Sequence, residues 1–339
     1  MSRWYVRPAS IADLDAILEL AGQTGPGFTN LPYDRDALRT RLERNDASFA
    51  RDLKAPDSEL YIFVLQDSTN DRIGGTALIF SCVGVKKPFY SYKITRLSQF
   101  SRELDRIVTT DVLNLVNDFA GASEVGGLFL LPELRREGLG ALLSRSRFLF
   151  MATHRERFGR RVLTELRGYQ HPDGVSPFWD ALTRRFFDLE FNEADRFHAL
   201  NGNQFIADLM PKYPIYTILL SQEAQDAIGK PHREGVAAMK LLEAEGFRND
   251  GYVDLFDAGP TLQAEIDTLR TVQEAQLARI VPATGADRGE RLLLATGKLC
   301  DFRAWQGLGC CDAGGLQLAA DDLALGRLAT GDEVLWVRT

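Results

Sequence analysis

The chain has 339 residues, 45% apolar and 26% charged, with 47 acidic against 40 basic side chains and a formal net charge of −7. At roughly 150 residues per domain the length points to about two domains, and the composition excludes a disordered, collagen-like or coiled-coil chain. The acidic balance argues against a nucleic-acid partner, and no apolar run approaches the roughly 18 residues of a membrane span.

Met1 to Pro8 lacks the apolar core of a signal peptide, so a cytosolic protein away from membranes is expected. Trp4 to Arg7 reads as a strand. Ser10 then precedes Ile11, Leu14, Ile17 and Leu18, one face of a helix that Ser10 caps and that ends near Gly22. Thr24 to Gly27 is a turn-rich loop, and Asp34 to Arg44 predicts a second helix. Leu60 to Leu65 and Arg72 to Phe80 form a hairpin about the turn Asp67 to Asp71. Residues 85–120 read as an insertion with a possible strand at Phe89 to Lys93. Val125 to Leu131 is an apolar central strand, closed by Pro132 and a charged turn, and Leu139, Leu142, Leu143, Leu149 and Phe150 mark a long helix.

Val162 to Leu166 is another strand, and Ser176-Pro177-Phe178 opens a helix with serine as cap and proline at its first position. Phe178, Trp179, Phe186 and Phe187 fall partly at helical spacing and read as core. Ala238, Leu241 and Leu242 share a helical face that Gly246 terminates, with Phe247 folding back on Leu242. Tyr252 to Phe256 is a strand, Leu262 to Ile280 reads as a helix, and 284–289 as a polar linker. Residues 291–337 read as short strands with glycine turns. The alternation defines an α/β (α+β) protein with a mixed sheet flanked by helices, plus a small C-terminal β-rich subdomain. The boundary is set at 262/263, giving parts 1–262 and 263–339.

Cys82, Cys300, Cys310 and Cys311 make no C-x-x-C, and His154, His171, His198 and His232 make no H-x-x-x-H. Reduced thiols and no metal site are expected. Cys82 reads as a buried strand residue. Chemistry concentrates instead at Arg135-Arg136-Glu137-Gly138-Leu139-Gly140, which fits R-x-x-G-x-G between a strand and a helix. The first N–H groups of a helix lack intrahelical partners and carry the positive end of its dipole. Glycines there let a pyrophosphate approach the amides. A dinucleotide site would need G-x-G-x-x-G, and a P-loop Gly-Lys-Ser/Thr; neither is present.

The arrangement resembles the GNAT acyl-CoA N-acyltransferases, whose pyrophosphate loop reads Q/R-x-x-G-x-G/A. The resemblance implies that amides from Arg136 to Gly140, with Arg135, Leu139 and Gly138, hold the pyrophosphate of coenzyme A. The strand at 125–130 would pair with the pantetheine arm, and Glu165 to Arg167 with the Ser176 helix would shape the thioester site. Longer phrases resemble the arginine N-succinyltransferase family: Thr24 to Pro32, Ser144 to Met151, Ser176 to Trp179, Phe205 to Pro211, Ala224 to Gly229 and Phe256 to Leu262.

That family implies succinyl transfer from succinyl-CoA, a co-substrate, to the α-amine of L-arginine, with no further cofactor. It implies that Leu128 binds succinyl-CoA and that His232 is the proton donor. The strand here reads Glu124-Val125-Gly126-Gly127-Leu128 where the family has E-L-C-S/T-L, and Pro231-His232-Arg233-Glu234 replaces V-H-P-x. Ornithine or another amine as acceptor is one alternative, and a non-catalytic CoA-binding subunit is another. A homo-oligomer, or a heterodimer with a paralogous subunit, is implied.

Glu124 precedes Arg135 by 11 residues, where GNAT enzymes often place a general base; the other reading is a solvated strand end. A guanidinium needs carboxylates, and Asp111, Asp118, Glu165, Asp254 and Asp257 are unranked candidates. Arg145, Arg147, Arg155 and Arg157 could meet phosphate or succinyl carboxylate, and for most a solvated helix face is the expectation.

Overall fold

The computed structural model describes residues 3–25, 28–191, 193–194, 197, 204–282, 289–312 and 314–339. The loop tip at Pro26 and Gly27, His198 and most of the linker, residues 284–288, lie outside the described residues.

One sheet runs through the molecule. β1 (Trp4–Pro8), β2 (Leu60–Asp67) and β3 (Ile73–Phe80) are antiparallel neighbours. β2 and β3 are buried almost throughout, because both faces are covered, which explains why they read as continuous apolar runs rather than alternating ones. One cover comprises α1 (Leu14–Ala21) and α2 (Arg35–Ala50). Asp13 ties the start of α1 to the sheet by accepting from the Ser10 N–H at 2.8 Å and pairing with Arg7. Asp34 caps α2 by accepting from the Ala37 N–H at 2.8 Å.

β4 (Ser91–Ser101) and β5 (Arg106–Val116) form a long hairpin in the segment read as an insertion, attached to the sheet where β4 meets β9 (Arg248–Asp254). β6 (Ser123–Leu130), α3 (Leu139–Thr153) and β7 (Arg161–Glu165) follow as the sequence predicts. The two-residue β8 (Ile215–Tyr216) lies against β5. The helix after Ser176 contains a π-helical stretch, Trp179–Thr183, and buries Phe178 and Trp179 completely, while Phe186 is exposed. The helix Val236–Glu245 stops at Gly246, with φ +105, and the Phe247 N–H returns to the Leu242 carbonyl at 3.1 Å.

The helix expected over Leu262 to Ile280 is not formed. The segment holds β10 (Pro260–Glu265), a short helix Arg270–Glu274 and β11 (Gln276–Arg279). Leu262, Ile266 and Leu269 do recur at helical spacing, but β7 and β9 each need a partner along one edge, and β10 supplies both. Strand pairing of a buried segment outweighs its local period. β12 (Glu290–Thr296), β13 (Arg303–Asp312), β14 (Gly315–Leu318) and β15 (Glu333–Arg338) follow. They extend the same sheet, because β13 pairs with β1. The order is β11-β15-β12-β13-β1-β2-β3-β6-β7-β10-β9-β4-β5-β8, with β14 beside β13. Among these pairs only β6 and β7 run parallel.

Among the described residues no helix is long and apolar enough to cross a membrane, and no group of three or more His, Cys, Asp or Glu is placed to hold a metal. The four cysteines are free. Cys82 lies just beyond β3 and is half-buried, rather than within the strand.

Candidate active site

β6 and β7 share only the pairs Ser123↔Val162 and Glu124↔Leu163, and then part. A bulge on the other edge of β6 accentuates the opening. Thr76 opposes Phe129 and Leu78 opposes Gly126, so Ala77 faces both Gly127 and Leu128. Gly127 takes φ +55, and a Cβ there would stand 2.6 Å from Leu78. Past Glu124, the β6 edge that faces β7 therefore carries no strand partner among the described residues, and the half-buried Leu128 sits at the bulge.

Glu124 lies at the root of this cleft and is only 8% exposed. Burial pushes its carboxyl up to about 7, against the opposing pull of a hydrogen bond from Asn30 and the charge of Arg41. Arg41, on α2, holds the loop over the cleft by donating to the carbonyls of Asn30 at 2.6 Å and Thr29 at 3.2 Å. Burial lowers its own pKa to about 10. The unusual phrase Thr24 to Pro32 thus delivers Asn30 to Glu124.

Glu165, at the end of β7, is raised well above the carboxylate range by burial and by the neighbouring carboxylates Asp254 and Glu124. Asp254 accepts from the N–H groups of Phe256 and Asp257. Asp257 is tied to the backbone at Gly168, 2.6 Å, and Gly259, 2.8 Å. Asp111 faces solvent beside Arg96, and Asp118 accepts from the Tyr252 hydroxyl.

His232 is held against the chain leaving β7. Its N–H donates to the Arg167 carbonyl at 2.7 Å, and Pro231 bridges to Gly168. Arg167 Nη2 lies 2.8 Å from Nε2, and the Glu234 N–H lies 3.3 Å from Nδ1. A neutral ring cannot accept at both nitrogens, so the shorter bond makes Nε2 the acceptor and leaves the proton on Nδ1. Burial first, then Arg167, lowers the imidazole pKa and favours the neutral ring.

At the open end of β6, the Arg135 guanidinium donates to the Leu130 carbonyl at 3.0 Å. Glu137 and Gly138 both have positive φ, +58 and +78, and turn the chain into α3. The N–H groups of Arg136 and Leu139 are used within the turn. Among the described residues those of Glu137, Gly138, Gly140 and Ala141 have no protein acceptor. A Cβ on Gly140 would meet nothing within 4 Å, so the approach to these amides is open. A cavity of about 850 Å³ adjoins the loop, lined by Gly138, Ala141 and Arg145 together with Arg3, Arg270 and Arg291.

The arginine cluster differs from its expected solvated face. Arg145, Arg147 and Arg157 are buried, and Arg155 pairs with Asp267. Arg145 pairs with Glu245 at 2.9 Å, and Arg157 donates to the Tyr61 hydroxyl at 3.1 Å. Arg147 reaches the Ser144 hydroxyl at 2.9 Å, and burial lowers its pKa to about 9. The polar run Ser144-Arg145-Ser146-Arg147 concealed that this stretch of helix is covered on every side.

Glu124 and Leu128 therefore share the cleft, with Arg135 to Gly140 at its open end and His232 at the end of β7. Asn30, Arg41 and Arg167 were missed as individual residues. The only signal for Asn30 was its place in the phrase Thr24 to Pro32.

Two neighbouring strands that run parallel for two residues and then part, ahead of a helix with unclaimed first amides, are the architecture of GNAT acyltransferases. The protein is an acyltransferase of this class. A family model described as "Arginine N-succinyltransferase beta subunit" matches residues 4–271, and its C-terminal-domain counterpart matches 273–338. The chain is 44% identical over 284 residues to an arginine N-succinyltransferase of Salmonella arizonae, covering 83% of this chain and 82% of that one. It is 43% identical over 283 residues to one of Salmonella paratyphi B, with the same coverage. The solved arginine/ornithine succinyltransferase subunit AI of Pseudomonas aeruginosa matches with a TM-score of 0.91 at 33% identity, over 100% of this chain and 99% of that one. The chain belongs to the arginine N-succinyltransferase family.

Proposed function

We propose that this protein transfers the succinyl group of succinyl-CoA to the α-amino group of L-arginine by direct attack. The observation that carries this reading is a buried glutamate, Glu124, with a pKa near 7 at the root of a cleft whose far end offers amides to a pyrophosphate. The pyrophosphate binds the free amides of Glu137, Gly138, Gly140 and Ala141, while those of Arg136 and Leu139 shape the turn, with Arg135 at the rim. The pantetheine arm lies along the free edge of β6 at Leu128, as a further strand would.

Glu124 takes a proton from the α-ammonium. The free amine attacks the thioester carbonyl, and a C–N bond forms. The tetrahedral intermediate collapses with cleavage of the C–S bond; the second proton of the attacking nitrogen passes to the His232 ring, and the ring gives a proton to the departing CoA thiolate. Arg167 fixes the orientation of the His232 ring.

No step requires a metal or a further cofactor. The division into an acyltransferase part up to about residue 262 and a smaller C-terminal part, a cytoplasmic setting, and a homo-oligomer or heterodimer belong to the same proposal. Thiol release from succinyl-CoA on adding arginine tests it; no release above background, alone or with a partner subunit, rejects it. The Pseudomonas relative is called an arginine/ornithine succinyltransferase subunit, which favours testing ornithine as a second acceptor in the same assay.

A further inference from the structure

One face of the sheet carries a row of polar side chains across five strands. Glu124 on β6 lies opposite Leu163, two residues before Glu165 on β7. Glu165 lies opposite Thr261 on β10, and Thr261 opposite Tyr252, two residues before Asp254 on β9. Asp254 lies opposite Ser91 on β4. Cross-strand partners share a face, as do residues two apart. Glu124, Glu165, Thr261, Asp254 and Ser91 therefore point the same way, where β6 and β7 part.

Three members of this row have unused hydrogen-bonding capacity. Among the described residues Glu165 Oε1, Thr261 Oγ1 and Ser91 Oγ are buried without a hydrogen-bond partner, and Ser91 and Thr261 are 0% and 1% exposed. Native proteins seldom leave such atoms unpaired, and three in one row mark a place where a ligand supplies the missing groups. Its charge follows from the neighbours. The charged groups acting on Glu165 are Asp254, Glu124 and Asp257, all carboxylates. The cations of this face are engaged elsewhere: Lys93 lies over the Tyr252 ring and bonds the Asp250 carbonyl, and Arg41 holds the Asn30 loop.

We propose that Glu165 and Asp254, with the hydroxyls of Ser91 and Thr261, form the subsite for the guanidinium of the amino-acid substrate. This rests on the arginine reading above and assigns the specificity of the same site. A guanidinium offers five N–H donors in one plane, and two carboxyl groups flanked by two hydroxyls supply matching acceptors. The subsite extends from Glu124 across β7 and β10 to β9, with strands about 4.8 Å apart. Glu165 is one strand from Glu124, so a substrate with its α-amine at Glu124 meets the subsite first at Glu165, whose carboxyl interacts with Asp254.

The test compares wild type, Glu165→Gln and Asp254→Asn with L-arginine and L-citrulline, which keeps the shape but lacks the charge. Both variants are expected to raise the KM for arginine at least tenfold and leave that for succinyl-CoA unchanged. Glu165→Gln should also reduce the preference for arginine over citrulline at least tenfold. Asp254 organises a turn, so melting temperature is recorded, and Ser91→Ala is a milder variant expected to raise the arginine KM severalfold. Arginine KM values within twofold of wild type in well-folded Glu165→Gln and Ser91→Ala overturn the proposal. Calorimetric titration of arginine into wild type and Glu165→Gln without succinyl-CoA separates the two readings. Binding lost in the variant supports the subsite even if no succinyl transfer is seen, and equal binding, or none to wild type, overturns it.

Discussion

The Asn30 side chain reaches Glu124 through the space that a side chain on residue 126 would fill. A Cβ built on Gly126 stands 2.5 Å from Asn30 Nδ2. Gly126→Ala should therefore push Asn30 away from the carboxyl. Because the Asn30 bond lowers the Glu124 pKa, its loss should move the ascending limb of the pH–rate profile upward in both Gly126→Ala and Asn30→Ala. Unchanged limbs in both would remove Asn30 from the mechanism.

In the wild type, kcat/KM should rise with pH to a midpoint near 7 and then level, as Glu124 loses its proton. Glu124→Gln should abolish that limb and lower kcat by about 10²-fold or more. Stability should respond with opposite sign. The folded carboxyl holds its proton from its ordinary 4.5 up to about 7, while the unfolded one does not. Over that window the folded state weakens as pH rises, by ~3 kcal/mol in all. Urea titrations at pH 5 and pH 8 should show the loss in wild type and a smaller one in Glu124→Gln.

His232→Ala should lower kcat about 10²-fold and leave the succinyl-CoA KM nearly unchanged, since the residue serves the departing thiolate. Arg167→Lys keeps the charge but changes the donor geometry, so it should produce a smaller fall in kcat. Steady-state kinetics with both substrates varied decide between this and a support role for the loop.

Gly138 and Gly140 respond differently to the same methyl group. At Gly138, alanine meets φ +78 and a Gln306 amide 3.0 Å away, a strain of about 1–2 kcal/mol. At Gly140 it meets nothing within 4 Å. Gly140→Ala should leave the melting temperature unchanged and raise the KM for succinyl-CoA severalfold, as the methyl occupies the approach to the amides. An unaltered KM would remove the pyrophosphate from this turn.

Arg145 and Glu245 form a buried pair, 9% and 3% exposed at the side chain, with Arg145 also donating to the Thr271 hydroxyl at 2.8 Å. Glu245→Ala leaves a guanidinium uncompensated inside the protein and should destabilise by about 3–5 kcal/mol in denaturant unfolding. Replacing both with apolar residues of similar size should cost much less.

The sequence was most informative where a local rule decides the outcome. The Ser10 and Ser176 helix starts, the Gly246 stop and the strand ahead of Arg135 could all be read from neighbouring residues. The parallel pairing of β6 with β7 and the insertion of β10 between β7 and β9 could not, because each depends on partners far along the chain. The same holds for the site. Glu124 and the glycine turn were singled out by their spacing and the resemblance it carries, while five candidate carboxylates looked alike in the sequence. Glu165 and Asp254 are brought to one face by pairings that join residues 91, 165, 254 and 261.

β1 lies between β2 and β13, and Tyr5 pairs with both Gln66 and Trp305. During synthesis this strand emerges first, but its second neighbour emerges some 300 residues later. Until then one edge of the nascent sheet exposes unpaired amides and carbonyls, a template for pairing with another chain. Late closure across so long a loop is slow, since chain entropy must be overcome before the contact forms. Ribosome stalling or truncation before β13 thus leaves an aggregation-prone edge, and chaperone demand should be greatest in the interval before Trp305 is made.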